Sequence, residues 1–435
     1  MKKSIFTIIS IFIFISIVLS GCKSTEALGS VADHSQTVDL KNATESAEDE
    51  SITNTTTASE IKSADELFSS RDLSGEVDTT GTVKITLNGN SATATSNNVN
   101  ISGSTVTIKK NGTYILSGTL TNGSVIVNVS KEEKVQLVLN GVNITSDTFA
   151  PIYVAGADKV FITLSDGTKN TLANGGLFKQ IDNNNVDAVI FSKDDITFNG
   201  TGTLTVKSPA GHSIVGKDEV TIANGTYNIT SSKTAIRAND SIAIADGIFN
   251  LTAGTDGIHA ENNDDDTLGS VYIKAGTFNI KVGDDGIHAT TTLQIDGGTF
   301  NITAAEGLEA TYVKINNGTI MISASDDGIN AAKKSSSLTP KVEINGGNIA
   351  ITMGQGDTDG VDSNGDIIIN GGTISVTGNS TFDYDGNGVI NGGKVIVNGS
   401  EVSTLPNQMM GGPGGGGPQG NGGFGGNGGL KGPRG

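Results

Sequence analysis

Residues 283–310 read GDDGIHATTTLQIDGGTFNITAAEGLEA. The phrase DDGIHA returns as AEGLEA, with IDGGTFNIT between them. Apolar residues alternate in three short bursts: Leu293 and Ile295, Phe300 and Ile302, Leu308 and Ala310. The following residues repeat the figure with Val313 and Ile315, Ile320 and Ile322, Ile329 and Ala331. Alternation with a period of two buries one face of a strand. Each unit therefore holds three short strands joined by Gly- and Asn-rich turns.

Working outward, a glycine precedes the same strand in unit after unit: Gly225, Gly247, Gly276, Gly298, Gly318, Gly347 and Gly372. The longer intervals contain insertions, NNDDDTLGS at 262–270 and KKSSSLTPK at 333–341. A base unit of roughly 20–22 residues remains. Three strands per unit, with glycine free to take the positive φ of tight corners, fit one rung of a parallel β-helix. Stacked rungs place Phe249, Phe278 and Phe300 in one interior column, continued by Ile320. Residues 82–200 alternate less regularly and read as the first rungs and cap of the same solenoid. A β-sandwich would not repeat residue identities at one-rung spacing. The expected fold class is all-β, a parallel β-helix over residues 76–405.

The flanks differ in composition. Lys2 and Lys3 precede an apolar run from Ile5 to Leu19 and then LSGC, ending at Cys22, the single cysteine of the chain. This pattern predicts a secretion signal over residues 1–21 and lipidation of Cys22, so that the protein sits outside the cytoplasm on a bacterial membrane. One cysteine excludes a disulfide framework and a Cys-based metal site. Residues 22–75 are rich in Ser, Thr and acids and read as a flexible stalk. Residues 406–435 are a Gly-rich tail that cannot build a core.

The net charge of −18 excludes nucleic acid and anionic lipid as partners, leaving a lipid anchor as the membrane contact. Within the solenoid the acids are ordered. Aligned on its apolar residue, the third strand reads TAIRA (234–238), DGIHA (256–260), DGIHA (285–289), EGLEA (306–310), DGINA (327–331) and DGVDS (359–363). The first position forms a column of Thr234, Asp256, Asp285, Glu306, Asp327 and Asp359. The fourth, read as outward-facing, gives Arg237, His259, His288, Glu309, Asn330 and Asp362. At the ~4.8 Å spacing of stacked strands, neighbouring carboxylates repel by about 1 kcal/mol in water and about 3 to 4 kcal/mol at an effective dielectric near 20. No lysine or arginine alternates into the first column, so a cation is expected there. Calcium, with six to eight oxygen ligands, suits carboxylates and amide oxygens. Glu309, Asp284, Asp326, Asp357 and Asn330 are candidates to complete its shell. The glycine of each DG pair is read as clearing the strand surface for a ligand, although Asp-Gly also serves simple turns. His259 and His288 are assigned to solvent or sugar contact, with Arg237 and Asn330 beside them. Asp383 and Asp385 extend the column by one rung, and Asp264, Asp265 and Asp266 form a solvated loop.

The INGGT and DDGIHA rungs, the preceding GTYILSGTL and LVLNGVNIT, and the following FDYDG resemble the bacterial surface carbohydrate-binding β-helix family. The likeness spans roughly residues 80–400. It implies a right-handed β-helix similar to calcium-pocket pectate lyases, calcium at Asp256, Asp285, Glu306, Asp327, Asp359 and Asp362, and binding of cellulose and polygalacturonate.

Three functions remain open. A pectate lyase needs a basic residue beside the metal-bound uronate, and Arg237 or Lys233 are the candidates. A binder needs only calcium to bridge the acidic column and a uronate polymer along a linear track. A coat protein would use calcium solely as a staple. With no Trp and few outward aromatics to stack on sugars, a monomeric, non-catalytic binder of acidic polysaccharide is the expected function, with cellulose second.

Overall fold

The computed structural model describes residues 64–355 and 358–408, all within the second of two compact units, Thr56–Gly435. The signal sequence, Cys22, most of the stalk, Asp357 and the Gly-rich tail beyond Gln408 lie outside the described residues.

The expected rung is present. In one turn, Thr292–Ile295, Thr299–Ala304 and Glu306–Ala310 lie on three successive faces, and each strand pairs in parallel with its equivalent one rung on. Face one runs from Val83–Gly89 to Gly388–Ile390, and face two from Lys169–Asn174 to Lys394–Val397. Two long strands, Gly112–Leu120 and Lys134–Ser146, turn the corner between them, so both faces belong to one 25-stranded sheet. Face three is a separate sheet of 13 strands. The result is a β-helix-like solenoid in which no rung can bury its apolar side chains alone.

The glycine ladder closes the corner between faces one and two. Gly225, Gly247, Gly276, Gly298, Gly318, Gly347 and Gly372 all have φ between 85° and 142°, a region closed to residues carrying a Cβ. Inside, Phe249 and Phe278 stack at 4.7 Å, and Phe278 and Phe300 at 4.5 Å, with rings nearly parallel. Tyr227 extends the stack to Phe249 at 5.1 Å, and Ile320 follows Phe300 in register. All five are fully buried.

Both ends are closed. Ala92–Ala94 folds back antiparallel on the first strand, and Ser400–Val402 does the same on Lys394–Val397. Such returns deny another chain an open strand edge.

The structure differs from the sequence reading at residues 64–75, which composition assigns to a flexible stalk. They form two short helices, Ala64–Leu67 and Ser70–Ser74, the second opened by a Ser69–Asp72 capping box. The reason lies in two buried side chains. Phe68 packs on Tyr272, Ala243 and Ala245. Asp72 pairs with Lys159 at 2.9 Å and accepts from Thr197 Oγ1 at 2.7 Å. Burial raises the Asp72 carboxyl, but bonds from Ser69, Thr197 and Lys159 outweigh it and hold the pKa below the usual range. Further on, Gln136 donates to the Glu76 carbonyl. This segment is therefore a strap running back along face one. No helix among the described residues is long and apolar enough to cross a membrane.

Candidate functional site

The two sequence columns exist on face three. Strand register aligns Arg237, His259, His288, Glu309, Asn330, Asp362 and Asp383 one above another. Asp285 pairs with Glu306, and Asp359 with Ser380. The backbone N–H of Asp285 donates to Asp256, and that of Asp359 to Asp327, so the first column also holds. Asp383 extends the fourth-position column as expected.

Three details differ from the sequence reading. The glycine of each DG pair does not clear a ligand surface. A Cβ on Gly257, Gly286, Gly307 or Gly328 would meet the carbonyl of the glycine one rung on at 2.4–2.5 Å and an interior isoleucine at 2.5–2.9 Å. These glycines are required by close packing within the solenoid.

The fourth position is not freely outward. His288 is 6% exposed, Glu309 3% and Asn330 8%. The two insertions explain part of this cover. The 333–341 insertion folds back over the corner, where Lys334 and Ser335 donate backbone N–H groups to Thr311 Oγ1. Its Ser336 N–H reaches Asp266 Oδ2 of the other insertion at 2.7 Å. Asp264 and Asp265 remain exposed, as expected for a solvated loop, while Asp266 is half-buried.

Third, cations do enter part of the array. His288 Nδ1 lies 2.9 Å from Asp285 Oδ2 and 2.6 Å from Glu309 Oε2, and Lys334 Nζ lies 2.7 Å from Glu309 Oε1. Burial lowers the imidazole, but the two carboxylates outweigh it and push its pKa up to about 9. One rung earlier, His259 Nδ1 contacts Asp256 Oδ2 at 2.9 Å and its Nε2 lies 3.3 Å from Glu261 Oε2. His259 is likewise raised against the effect of burial, by Asp256 and Glu261. Its ring stacks on His288 at 4.4 Å. Arg237 adds a contact to Glu261 at 3.4 Å, and Lys233 lies 3.6 Å from Asp187. In return, Asp256 and Glu309 are held below their ordinary values: burial raises each, and the histidines and Lys334 overcome it. Asp285 is raised by burial, with Glu309 and Asp256 adding repulsion that His288 does not cancel. Sequence spacing marks Arg237 and the two histidines; nothing local to the KKSSSLTPK insertion foretells that Lys334 returns to Glu309.

Farther along, compensation stops. Glu306 is pushed up to about 8 by burial and the charge of Glu309. Asp327 is pushed up to about 7 by burial, with Asp362, Asp326 and Asp359 adding repulsion. Asp362 reaches about 6 through burial and the charges of Asp359 and Asp383. Among the described residues no lysine, arginine or histidine forms an ion pair with Glu306, Asp327 or Asp362, or with Asp383. Two buried oxygens beside them have no hydrogen-bond partner, Asn330 Oδ1 and Thr358 Oγ1, while Asn330 Nδ2 donates to Glu306. A buried polar atom without a partner costs about 1–3 kcal/mol.

These observations sort the possible cation ligands. Among the described residues, ligand atoms come within 4.8 Å of one another in two groups: Asp285, His288 and Glu309, and Asp256, Asp284 and Asp285. The first includes an imidazole already shared by two carboxylates, a poor set for an oxygen-seeking cation. The second is all carboxylate, with Asp284 exposed, and fits such an ion. The stretch Glu306, Asp327, Asp359 and Asp362, with exposed Asp326 and the orphaned amide and hydroxyl oxygens, has the same hard-oxygen donors, though no three of its acids bring ligand atoms within 4.8 Å of one another.

Comparison with known proteins gives three findings. A solved structure of a polysaccharide lyase-like protein from C. thermocellum, a gadolinium derivative, is 27% identical, covering 73% of this chain and 95% of that one with a TM-score of 0.44. A carbohydrate-binding domain-containing protein of Acetivibrio thermocellus is 42% identical over 127 residues, 29% of this chain. The match spans 44% of that relative's length. The model of the carbohydrate-binding domain-containing protein family matches residues 102–358 and again 309–404, most of the solenoid, and the chain belongs to that family.

Proposed function

We propose that the protein binds polysaccharide without cleaving it, using calcium on face three to hold acidic, pectin-type chains, with cellulose as a second ligand. The observation that carries this reading is the uncompensated half of the acidic array. Three carboxylates, Glu306, Asp327 and Asp362, are raised by burial and like-charge repulsion, and two buried oxygens, Asn330 Oδ1 beside Glu306 and Thr358 Oγ1, have no hydrogen-bond partner. A calcium ion there would relieve the repulsion and offer its remaining coordination positions to a uronate carboxylate. The family supports a carbohydrate partner. A right-handed winding, the usual hand of parallel crossovers, belongs to this proposal, as do a monomer and attachment to the outer bacterial surface through Cys22.

Binding is favoured over lyase chemistry because the candidate bases are engaged: Arg237 with Glu261, and Lys233 with Asp187. The test incubates the protein with polygalacturonate in calcium or EDTA and scores polymer retention together with ultraviolet absorbance of unsaturated products. Calcium-dependent retention at flat absorbance supports the binder. Rising absorbance makes it a lyase. Calcium-dependent melting without retention in either buffer reduces the array to a structural staple.

A further inference from the structure

Face two carries no acid at all. Its ten strands, from Lys169–Asn174 to Lys394–Val397, contain neither Asp nor Glu, in a chain with 46 acids. Only four lysines, Lys169, Lys207, Lys281 and Lys394, bring charge to it. Face three has its acid columns, and face one is half covered by the strap. On face two, five consecutive strands from Ile248–Ala253 to Asn348–Met353 expose every alternate residue and bury the rest, apart from half-buried Val282.

The exposed residues are mostly Thr and Asn in straight files. Asn228, Asn250, Asn279 and Asn301 align in register. Asn250 Nδ2 donates to Asn228 Oδ1 at 2.9 Å, and Asn279 Nδ2 to Asn250 Oδ1 at 3.0 Å. Threonine files, such as Thr277, Thr299 and Thr319, flank them. The amides of Asn228, Asn250 and Asn279 are oriented by one another, and threonine has few rotamers to lose, so ordering costs on binding are small. The lattice repeats at about 4.8 Å along the axis and about 7 Å across each strand.

We infer that face two is a second carbohydrate-binding surface, which takes the flat side of a neutral, hydroxyl-rich polysaccharide independently of calcium. The charge pattern selects this partner. An acidic polymer would find only four lysines spread over ten strands and no acid-held cation, and a protein partner would find only two large exposed apolar side chains in the five regular strands, Ile248 and Met321. A neutral glycan sheet presents hydroxyls, which both donate and accept, to a surface of hydroxyls and amides that does the same. Carboxylates would have to shed water beneath it without gaining a counterion, and face two excludes them. The inference rests on the family's carbohydrate reading but not on the calcium site.

The test uses the full chain and insoluble microcrystalline β-1,4-glucan, in calcium and in EDTA, at low and high salt. Expected is retention equal in all four buffers. The double variant Asn250→Asp/Asn301→Asp should bind the glucan at least tenfold more weakly, keep the wild-type circular dichroism spectrum, and retain polygalacturonate as before. Thr299→Ala/Thr303→Ala, which adds no charge, should weaken glucan retention less. Glucan retention that EDTA abolishes, or that the double Asp variant leaves intact, overturns the inference. So does a wild type that sediments as a dimer and a double variant that sediments as a monomer, which would make the face a self-interface. If polygalacturonate fails to bind while the glucan result holds, the calcium reading falls and face two stands.

Discussion

Asp256–Glu309 and Glu306–Asp383 are two stretches of one acidic array, built from the same rung and the same register, yet they differ in how charge is balanced. In the first, His259, His288, Arg237 and Lys334 neutralise the acids from within the chain. In the second, carboxyls are left with pKa values of about 8, 7 and 6. A repeat thus fixes where side chains stand and leaves their chemistry to single substitutions at the fourth position. The first stretch balances its charge from within the chain; the second does not, which is the basis of the proposed calcium site.

Experiments can break this contrast. The largest effect is expected from His288→Ala, which leaves buried Asp285 without its cation and Glu309 with Lys334 alone; loss of one partner of a buried pair costs about 3–5 kcal/mol, read as a fall in denaturation midpoint. Asp327→Asn/Asp362→Asn should act oppositely. Without metal it should stabilise the fold by about 1–2 kcal/mol by removing repulsion, and it should abolish the rise in Tm on adding calcium, which for the wild type is worth about 2.7 kcal/mol at a hundredfold excess over Kd. Equal responses of wild type and variant to calcium would move the ion elsewhere, with Asp256, Asp284 and Asp285 next in line.

The pH dependence sharpens the same contrast. Glu306, Asp327 and Asp362 have folded pKa values raised above their unfolded ones, so their contribution is fully present below about pH 4 and is lost as pH rises through about 6 to 8. His288 is also raised, so its contribution is present below about 6.5 and disappears only as pH passes about 9. Asp256 and Glu309, being lowered, contribute above the ordinary carboxylate range and lose that contribution in acid. In EDTA, stability should therefore decline from pH 5 to 8, and calcium should flatten the decline because binding requires deprotonated ligands. The smallest effect is expected from Lys334→Met, about 1 kcal/mol or less, since the lysine side chain is 39% exposed.

Much of the fold was legible because a solenoid writes its geometry as a period. The glycine ladder, the Phe249–Phe278–Phe300 stack and both columns followed from the spacing of identical residues. Tyr227 escaped because TYNIT differs from TFNIT in a residue equally able to stack. The strap escaped because residues 64–75 bury just a few side chains, Phe68 and Asp72 among them, against partners up to 204 positions away, as between Phe68 and Tyr272. The cover over His288 escaped for a related reason: insertions carry no period, and their path is set by contacts such as Ser336 to Asp266. The role of the DG glycines was misjudged because a turn, a ligand surface and a packed interior all demand the same missing Cβ.

The strap has a mechanical consequence. It touches the rung of Tyr272 through Phe68, those of Thr197 and Lys159 through Asp72, and that of Gln136 through Glu76. Tension entering at residue 64 therefore loads these anchor points in shear, along the axis, instead of peeling the first rung from the end. Peeling would break one rung's bonds at a time, whereas shear strains several anchors at once. The early rungs should resist pulling as a single block, and among the described residues the strand ladder beyond Tyr272 carries no such splint.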